Sequence, residues 1–222
     1  MKQSLYLLLI FVFGFTCPVK DLTRTEKYNT TGDGQTNWIY PDKLSVTGDF
    51  DGDGKTDTLV QNIVSKLSGR SIDSIPDFND WDSLLQFSEK AGAEVILTLL
   101  NGKSDTLYMG NALGLFCLIN MGDNNNDKRD EIAVVVDYCD YSNCNSCLVY
   151  TLCENKWVML MSFAILETAF AYEGDTLPAG NEIEGFLEHR ENQWMYIDYN
   201  KWFEAKKAKD TIMQPLRLKK CC

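Results

Sequence analysis

The most chemically distinctive stretch of the chain is GDFDGDGKTDTLV, residues 48–60, in which aspartates crowd together. Their charges would repel one another unless a cation lay between them. Counted from Asp49 as position 1, carboxylates stand at positions 1, 3, 5 and 9, and Gly54 at position 6 permits the positive φ of a tightly curled chain. Calcium takes oxygen ligands, including backbone carbonyls. The stretch predicts a calcium loop with these ligands: Asp49, Asp51, Asp53, the carbonyl of Lys55, and Asp57.

A second acidic stretch, GDNNNDKRDEIAV from residue 122, aligns with the first without gaps at a separation of 74 residues. Lys128 occupies the place of Gly54, and a non-glycine residue in the left-handed region costs roughly 1–2 kcal/mol. We therefore expect this loop to bind calcium more weakly than the first, or to be purely structural. Its candidate ligands are Asp123, Asn125, Asp127, the carbonyl of Arg129, and Glu131.

An EF-hand is the first alternative for these loops. That motif needs a glutamate at position 12 and a helix on each side. Position 12 is Val60 in the first loop and Val134 in the second, and both valines belong to apolar, β-branched runs typical of strands. The sequence therefore excludes an EF-hand. An ion-free cluster of Asx turns remains the alternative to calcium.

With a strand directly after each loop, the two stretches resemble the FG-GAP/VCBS-type repeat of integrin α-chain propellers and of many bacterial exported proteins. The resemblance rests on the acidic residues above together with Gly54 and the strand residues that follow the loops: Leu59, Val60, Ile132, Ala133 and Val134. It implies calcium held between β elements. A full propeller needs several blades, whereas the sequence shows two repeats, so we expect a partial propeller-like or sandwich arrangement.

Eight cysteines offer a second kind of chemistry. Four of them cluster in CDYSNCNSCLVYTLC, residues 139–153. Their spacing lacks the paired C-x-x-C of a zinc ribbon, and no βαβ pattern surrounds Cys144 and Cys147 as in a thioredoxin-like site. A four-thiolate zinc site and a redox site therefore stay as alternatives, and the preferred interpretation is disulfides with spare thiols.

Catalytic motifs are absent from the sequence: there is no G-x-S-x-G, H-E-x-x-H or P-loop. The single histidine, His189, lies in FLEHRENQW near a predicted turn, where a surface position is the ordinary expectation. Glu182 and Glu184 could form a glycosidase pair, but such spacing is common on a half-exposed strand. An enzyme is therefore the alternative, as a periplasmic hydrolase or carbohydrate-active module.

The N-terminal residues predict export. Lys2 precedes an apolar run, residues 4–15, that is too short for a bilayer, which needs roughly 20 residues. We interpret residues 1–16 as a signal peptide, residues 17–44 as a lipid anchor with a polar tether, and residues 45–222 as one β-rich domain. Cys17 at the end of the apolar run is the candidate lipidation site of a bacterial lipoprotein. The alternative is ordinary cleavage nearby, with Cys17 a plain thiol.

Strand patterns dominate the rest of the chain. Residues 57–64 and EIAVVVDY are predicted strands, the second buried on both faces. Hairpins are predicted in residues 94–109, 147–166 and 185–199, with turns at Asn101-Gly102, Glu154-Asn155-Lys156 and Glu191-Asn192. One minor helix is predicted in residues 77–92, ending at Gly92. The fold class is therefore mostly β, with antiparallel sheets built from hairpins and calcium-loop repeats.

The net charge of −11 disfavours nucleic acid, because no Lys/Arg stripe is present to meet a phosphate backbone. Together these features predict an exported, membrane-anchored and calcium-stabilised binding domain, periplasmic or on the cell surface. The expected partner is a protein or glycan, and the only expected membrane contact is the lipid anchor.

Overall fold

The computed structural model describes residues 37–78, 80–102, 104–170, 181–203 and 212–221. The predicted signal peptide and Cys17 lie outside these residues. The strands are β1 (Trp38–Ile39), β2 (Ser45–Gly48), β3 (Asp57–Ser65), β4 (Ile75–Pro76), β5 (Ala93–Leu99), β6 (Leu107–Gly110), β7 (Ala112–Gly122), β8 (Glu131–Tyr138), β9 (Cys144–Cys153), β10 (Lys156–Leu166), β11 (Leu187–Arg190), β12 (Gln193–Tyr196) and β13 (Gln214–Pro215). The helices are α1 (Trp81–Ala91), α2 (Tyr199–Phe203) and a 3-10 turn at Glu167–Phe170.

The strands form antiparallel sheets that follow chain order. The first sheet runs β2-β3-β5-β6, the second runs β7-β8-β9-β10, and the third runs β11-β12-β13. Among the described strands β1 pairs only with β4, so ordered structure already begins within the stretch predicted as a tether. Each four-stranded sheet is a meander whose first two strands are joined by one of the acidic loops.

Two cores hold these sheets together in three layers. The first core lies between the first and second sheets, and the second core lies between the second and third sheets. The central strand β8 therefore contributes to both: Val134 and Val136 point to the first core, and Ala133 and Val135 to the second. This is why EIAVVVDY reads as a continuous apolar run, and the prediction of burial on both faces is confirmed.

Local signals in the sequence fix the predicted helix and turns. Asp80 caps α1 by accepting the backbone N–H of Ser83 (2.8 Å), and Gly92 ends the helix in the left-handed conformation (φ 58°). Glu154 and Asn155 form the two-residue turn between β9 and β10, both with positive φ. Glu191 and Asn192 do the same between β11 and β12. Such turns match the twist of the flanking strands and pin their register.

The observed architecture confirms a mostly β fold with antiparallel hairpin-built sheets, and the described part of the chain contains neither a closed barrel nor a full propeller. Besides the early strand β1, it differs from the sequence prediction in the short second helix α2. Asp198 accepts the backbone N–H of Asn200 (3.1 Å) at the start of α2, but five residues are too few to show a helical period. No helix among the described residues is long and apolar enough to cross a membrane.

Candidate metal centre

The folded chain brings the carboxylates of each acidic loop together. Carboxylate oxygens of three residues in each loop lie within 4.8 Å of one another. The first group contains residues from positions 1, 3 and 9, and the second contains residues from positions 1, 5 and 9. The groups are Asp49, Asp51 and Asp57, and Asp123, Asp127 and Glu131.

Both loops follow the same backbone path. Gly52 and Gly54 have φ of 76° and 80°, and the residues at the same positions of the second loop, Asn126 and Lys128, have φ of 59° and 74°. The second loop therefore adopts the left-handed conformation twice without glycine, which confirms the strain expected at Lys128. At positions 4 and 6 the backbone of each loop turns inward around its carboxylates.

Matching hydrogen bonds hold the two paths. Asp49 Oδ2 accepts the N–H of Gly54 (2.9 Å), and Asp123 Oδ2 accepts the N–H of Lys128 (3.0 Å). The side-chain oxygen at position 3 accepts the N–H at position 5 in both loops, at 3.0 Å from Asp51 and 2.9 Å from Asn125. These Asx-type bonds are ordinary turn chemistry, so they fix the path without requiring an ion.

Position 7 behaves alike in the two loops. The N–H of Lys55 donates to Asp53 Oδ1 (2.9 Å), and the N–H of Arg129 donates to Asp127 Oδ1 (3.0 Å). Lys55 Nζ also lies 3.5 Å from Asp53 Oδ2, and Asp53 is not in the first carboxylate group, unlike its counterpart Asp127. Asp53 would have to rotate away from Lys55 to reach an ion shared with Asp49.

Glu131 is the most informative residue of the site. It is fully buried (0% exposed); its Oε2 accepts the N–H of Asn124 (2.8 Å), whereas its Oε1 has no hydrogen-bond partner among the described residues. Asp127 Oδ2 beside it likewise has none within that part of the chain. Burial, with the charges of Asp127 and Asp123, raises the pKa of Glu131 to about 8. A buried carboxylate that lacks a partner is costly, and a cation would remove that cost.

The corresponding residue of the first loop is better satisfied. Asp57 is also buried, but its Oδ1 accepts a short hydrogen bond from Asn101 Nδ2, and its Oδ2 accepts the N–H of Asp51 (3.4 Å). Asn101 comes from the loop after β5, so no local spacing in the sequence could connect it to Asp57. It sits in the predicted Asn-Gly turn, where the N–H of Gly102 donates to the carbonyl of Leu99 (3.1 Å).

The cysteine alternatives do not agree with the structure. Cys153 forms a disulfide with Cys221, which lies 68 residues away, and is therefore not a thiolate ligand. Cys147 is fully buried in the second core, where burial raises the pKa of its thiol well above the ordinary value. Cys144 and Cys147 both lie along β9, and no cysteine belongs to a candidate metal group in the described residues. The preferred interpretation, a disulfide with further thiols, is confirmed.

The residues considered for catalysis belong to neither carboxylate group of the loops. His189 is exposed on β11, with its ring 5.3 Å from that of Trp194 in an edge-on arrangement. Glu182 and Glu184 are exposed on either side of the buried Ile183. Their positions provide no observation in favour of an enzyme.

No protein-family model, curated protein or solved structure matches this chain.

Removing the position-5 carboxylate should affect the two loops unequally. With about 2 mM calcium present, we expect Asp53→Ala to lower the melting temperature more than Asp127→Ala, because the first loop has four carboxylates and the second has three beside two cationic side chains. Thermal melts of both variants, with calcium and with chelator, measure the difference. Equal losses in calcium would show that the burial of Glu131 affects calcium binding as much as the number of carboxylates in each loop does.

Proposed function

We propose that this chain is a calcium-binding β domain in which each acidic loop holds one ion. The observation that carries the proposal is the Oε1 atom of Glu131, which is fully buried, lacks a hydrogen-bond partner among the described residues, and lies beside Asp123 and Asp127. A cation on these three carboxylates would satisfy the orphaned oxygen and offset the mutual repulsion. The shared path of the two loops extends the same interpretation to the first.

The ligand chemistry favours calcium over other divalent ions. Every candidate side-chain ligand is a carboxylate or amide oxygen, which suits hard cations rather than zinc or copper. Calcium accepts the irregular, many-oxygen arrangement of a wound loop, whereas magnesium requires a near-octahedral set and keeps several waters. The resemblance to FG-GAP/VCBS-type repeats supports the same ion, and two loops joining the first two strands of successive sheets agree with it.

Isothermal titration calorimetry with calcium tests the proposal. The wild-type chain should bind two ions, and Glu131→Gln and Asp57→Asn should each lose one. Glu89→Gln, which removes an exposed charge from α1, should still bind two. Binding that resists all three substitutions, or no binding by the wild type, would contradict the assignment of the ions to these loops.

The ions would serve a domain that works outside the cytoplasm. We propose that the chain is exported, held on a bacterial membrane by a lipid on Cys17, and binds a protein or glycan in the periplasm or at the cell surface. Trp38 and Tyr40, between the proposed anchor and the first sheet, are exposed (53% and 73%), so they are available as contact residues. This proposal rests on the N-terminal sequence pattern and on these exposed rings.

Loss of the lipid should release the protein from the membrane. We expect Cys17→Ser, expressed as the full chain, to move most of the protein from the membrane fraction to the soluble exported fraction, because the lipid is the only proposed membrane contact. Fractionation followed by immunoblotting measures the shift, with Cys139→Ser, at a partly exposed cysteine outside the leader, as the control. An unchanged distribution would contradict lipid anchoring and leave calcium binding untouched.

A further inference from the structure

The two acidic loops lie against each other, and Asp130 joins them. Its backbone N–H donates to the carbonyl of Asp49 (2.9 Å), and its Oδ2 accepts the backbone N–H of Asp49 (3.1 Å). Asp49 is the first ligand of one loop, whereas Asp130 stands between Arg129 and Glu131 of the other. A residue outside both carboxylate groups thus holds both backbone groups of a first-loop ligand.

Asn120 extends this contact to the strands from which the loops depart. Its Nδ2 donates to Asp130 Oδ2 (2.9 Å) and to the carbonyl of Thr47 in β2 (2.8 Å), while its Oδ1 accepts the N–H of Gly122 at the end of β7 (2.7 Å). The Asn120 side chain therefore connects the ends of β2 and β7 with the Asp130 carboxylate. A movement of one loop would therefore change the hydrogen bonds that hold the other loop in place.

Close packing leaves little room for the loops to move separately. A Cβ on Gly48 would lie 2.5 Å from Asn120 Nδ2 and 2.6 Å from Asp130 Oδ2, so any larger residue there must displace these two side chains. A Cβ on Gly52 would lie 3.0 Å from Arg129 Cγ. The contact therefore runs along the loops as well as through Asp130.

We infer that the two loops bind calcium with positive cooperativity, transmitted through the contact between Asp49 and Asp130; this rests on the proposed function. An ion bound by Glu131 and the Arg129 carbonyl orders the residue between them. Ordered Asp130 fixes the backbone of Asp49, so the second ion meets a ligand whose conformational entropy is already lost. Repulsion between the ions opposes this effect, and the Asp130 carboxylate, which is negative and lies at the contact, offsets it.

Calcium titrations of single-site variants measure the coupling. Glu131→Gln leaves the first loop to be titrated alone, and Asp57→Asn leaves the second. We expect each loop to bind about fivefold or more weakly when the other is disabled, and by the same factor in both directions. In an Asp130→Ala background the affinity of each loop should no longer depend on the other. Asp130→Asn keeps an oxygen that accepts the Asp49 N–H and should restore the dependence.

Gly48→Ala provides a second route, because its methyl group displaces the Asn120 and Asp130 side chains without removing a charge. It should abolish the coupling even if Asp130→Ala fails to fold. Coupling that persists in both variants would overturn the role of this contact. Two ions that bind the wild type independently would overturn cooperativity while leaving two-site binding intact. A wild type that binds no calcium would contradict the proposed function itself, and the coupling with it.

Discussion

Removing calcium should lower the melting temperature of the protein by about 8–16 °C. A loop with a dissociation constant of ~10⁻⁴ M, in about 2 mM calcium, gains roughly 2 kcal/mol from its ion, so two loops gain roughly 4 kcal/mol. For a chain of this size each kcal/mol corresponds to about 2–4 °C. Differential scanning calorimetry with calcium, and again with excess chelator, measures the change.

Two controls separate bound calcium from general salt effects. Magnesium at the same concentration should restore only a small part of the loss, because it requires a near-octahedral shell at short distances and gives up its waters reluctantly. The double variant Asp57→Asn/Glu131→Gln should melt at nearly the same temperature with and without calcium. A wild type whose melting temperature ignores the chelator would mean that the aspartates form solvated turns.

Glu131→Gln should change stability in opposite directions with and without calcium. In calcium the variant loses the roughly 2 kcal/mol of one ion but keeps the gain that it shows in chelator, so it should melt lower by the difference between the two. In chelator the variant should melt higher by a few degrees. A buried polar group without a partner costs about 1–3 kcal/mol, and the cost is larger for the charged carboxylate of Glu131 than for the neutral glutamine amide. Melts of the variant and the wild type under both conditions show the reversal.

The gain in chelator should grow with pH. The pKa of Glu131 is raised to about 8 in the folded chain from an ordinary 4.5. The protonated acid therefore contributes stability that is fully present below pH 4.5 and is lost as the pH rises through about 8. The wild type loses this contribution progressively between about pH 4.5 and 8, and the glutamine variant does not.

Asp57→Asn is the matched control for that result. Asp57 holds the same loop position and is also buried, but Asn101 and the N–H of Asp51 satisfy its oxygens. Its substitution should lower the melting temperature in calcium and bring no gain in chelator. A gain of equal size in both variants would show that general repulsion within the loops, rather than the orphaned Glu131 oxygen, explains the effect.

The parts of the site that follow a local rule were predictable from the sequence. Alternating oxygens from Asp49 to Asp57 and the strand that follows each loop are local patterns, and so are the glycine-like conformation at Lys128 and the end of α1 at Gly92. In each case the backbone conformation depends on side chains a few residues away.

Long-range contacts within the site were not predictable in this way. Asn101 reaches Asp57 from a turn 44 residues away, and Asp130 meets Asp49 across 81 residues, so nothing in the spacing of either loop reveals them. Trp194 Nε1 of the third layer likewise donates to the carbonyl of Met121, just before the second loop, across 73 residues (2.8 Å). The pairing of Cys153 with Cys221, rather than within the cysteine cluster, depends on the same distant packing.

The contribution of the segment around β13 to the second core sets an order of assembly. Leu216 is buried in that core and its N–H donates to the carbonyl of Trp194 (2.8 Å), so the core is complete only once this segment has joined it. Until this core is complete, the thiols of Cys117 and Cys147, which belong to it, are less shielded from oxidants and from other cysteines. Closure buries both, and the resulting loss of thiolate character ends their reactivity. The Cys153–Cys221 disulfide then links the completed fold covalently. Thiol accessibility measured over time would therefore report how far folding has advanced.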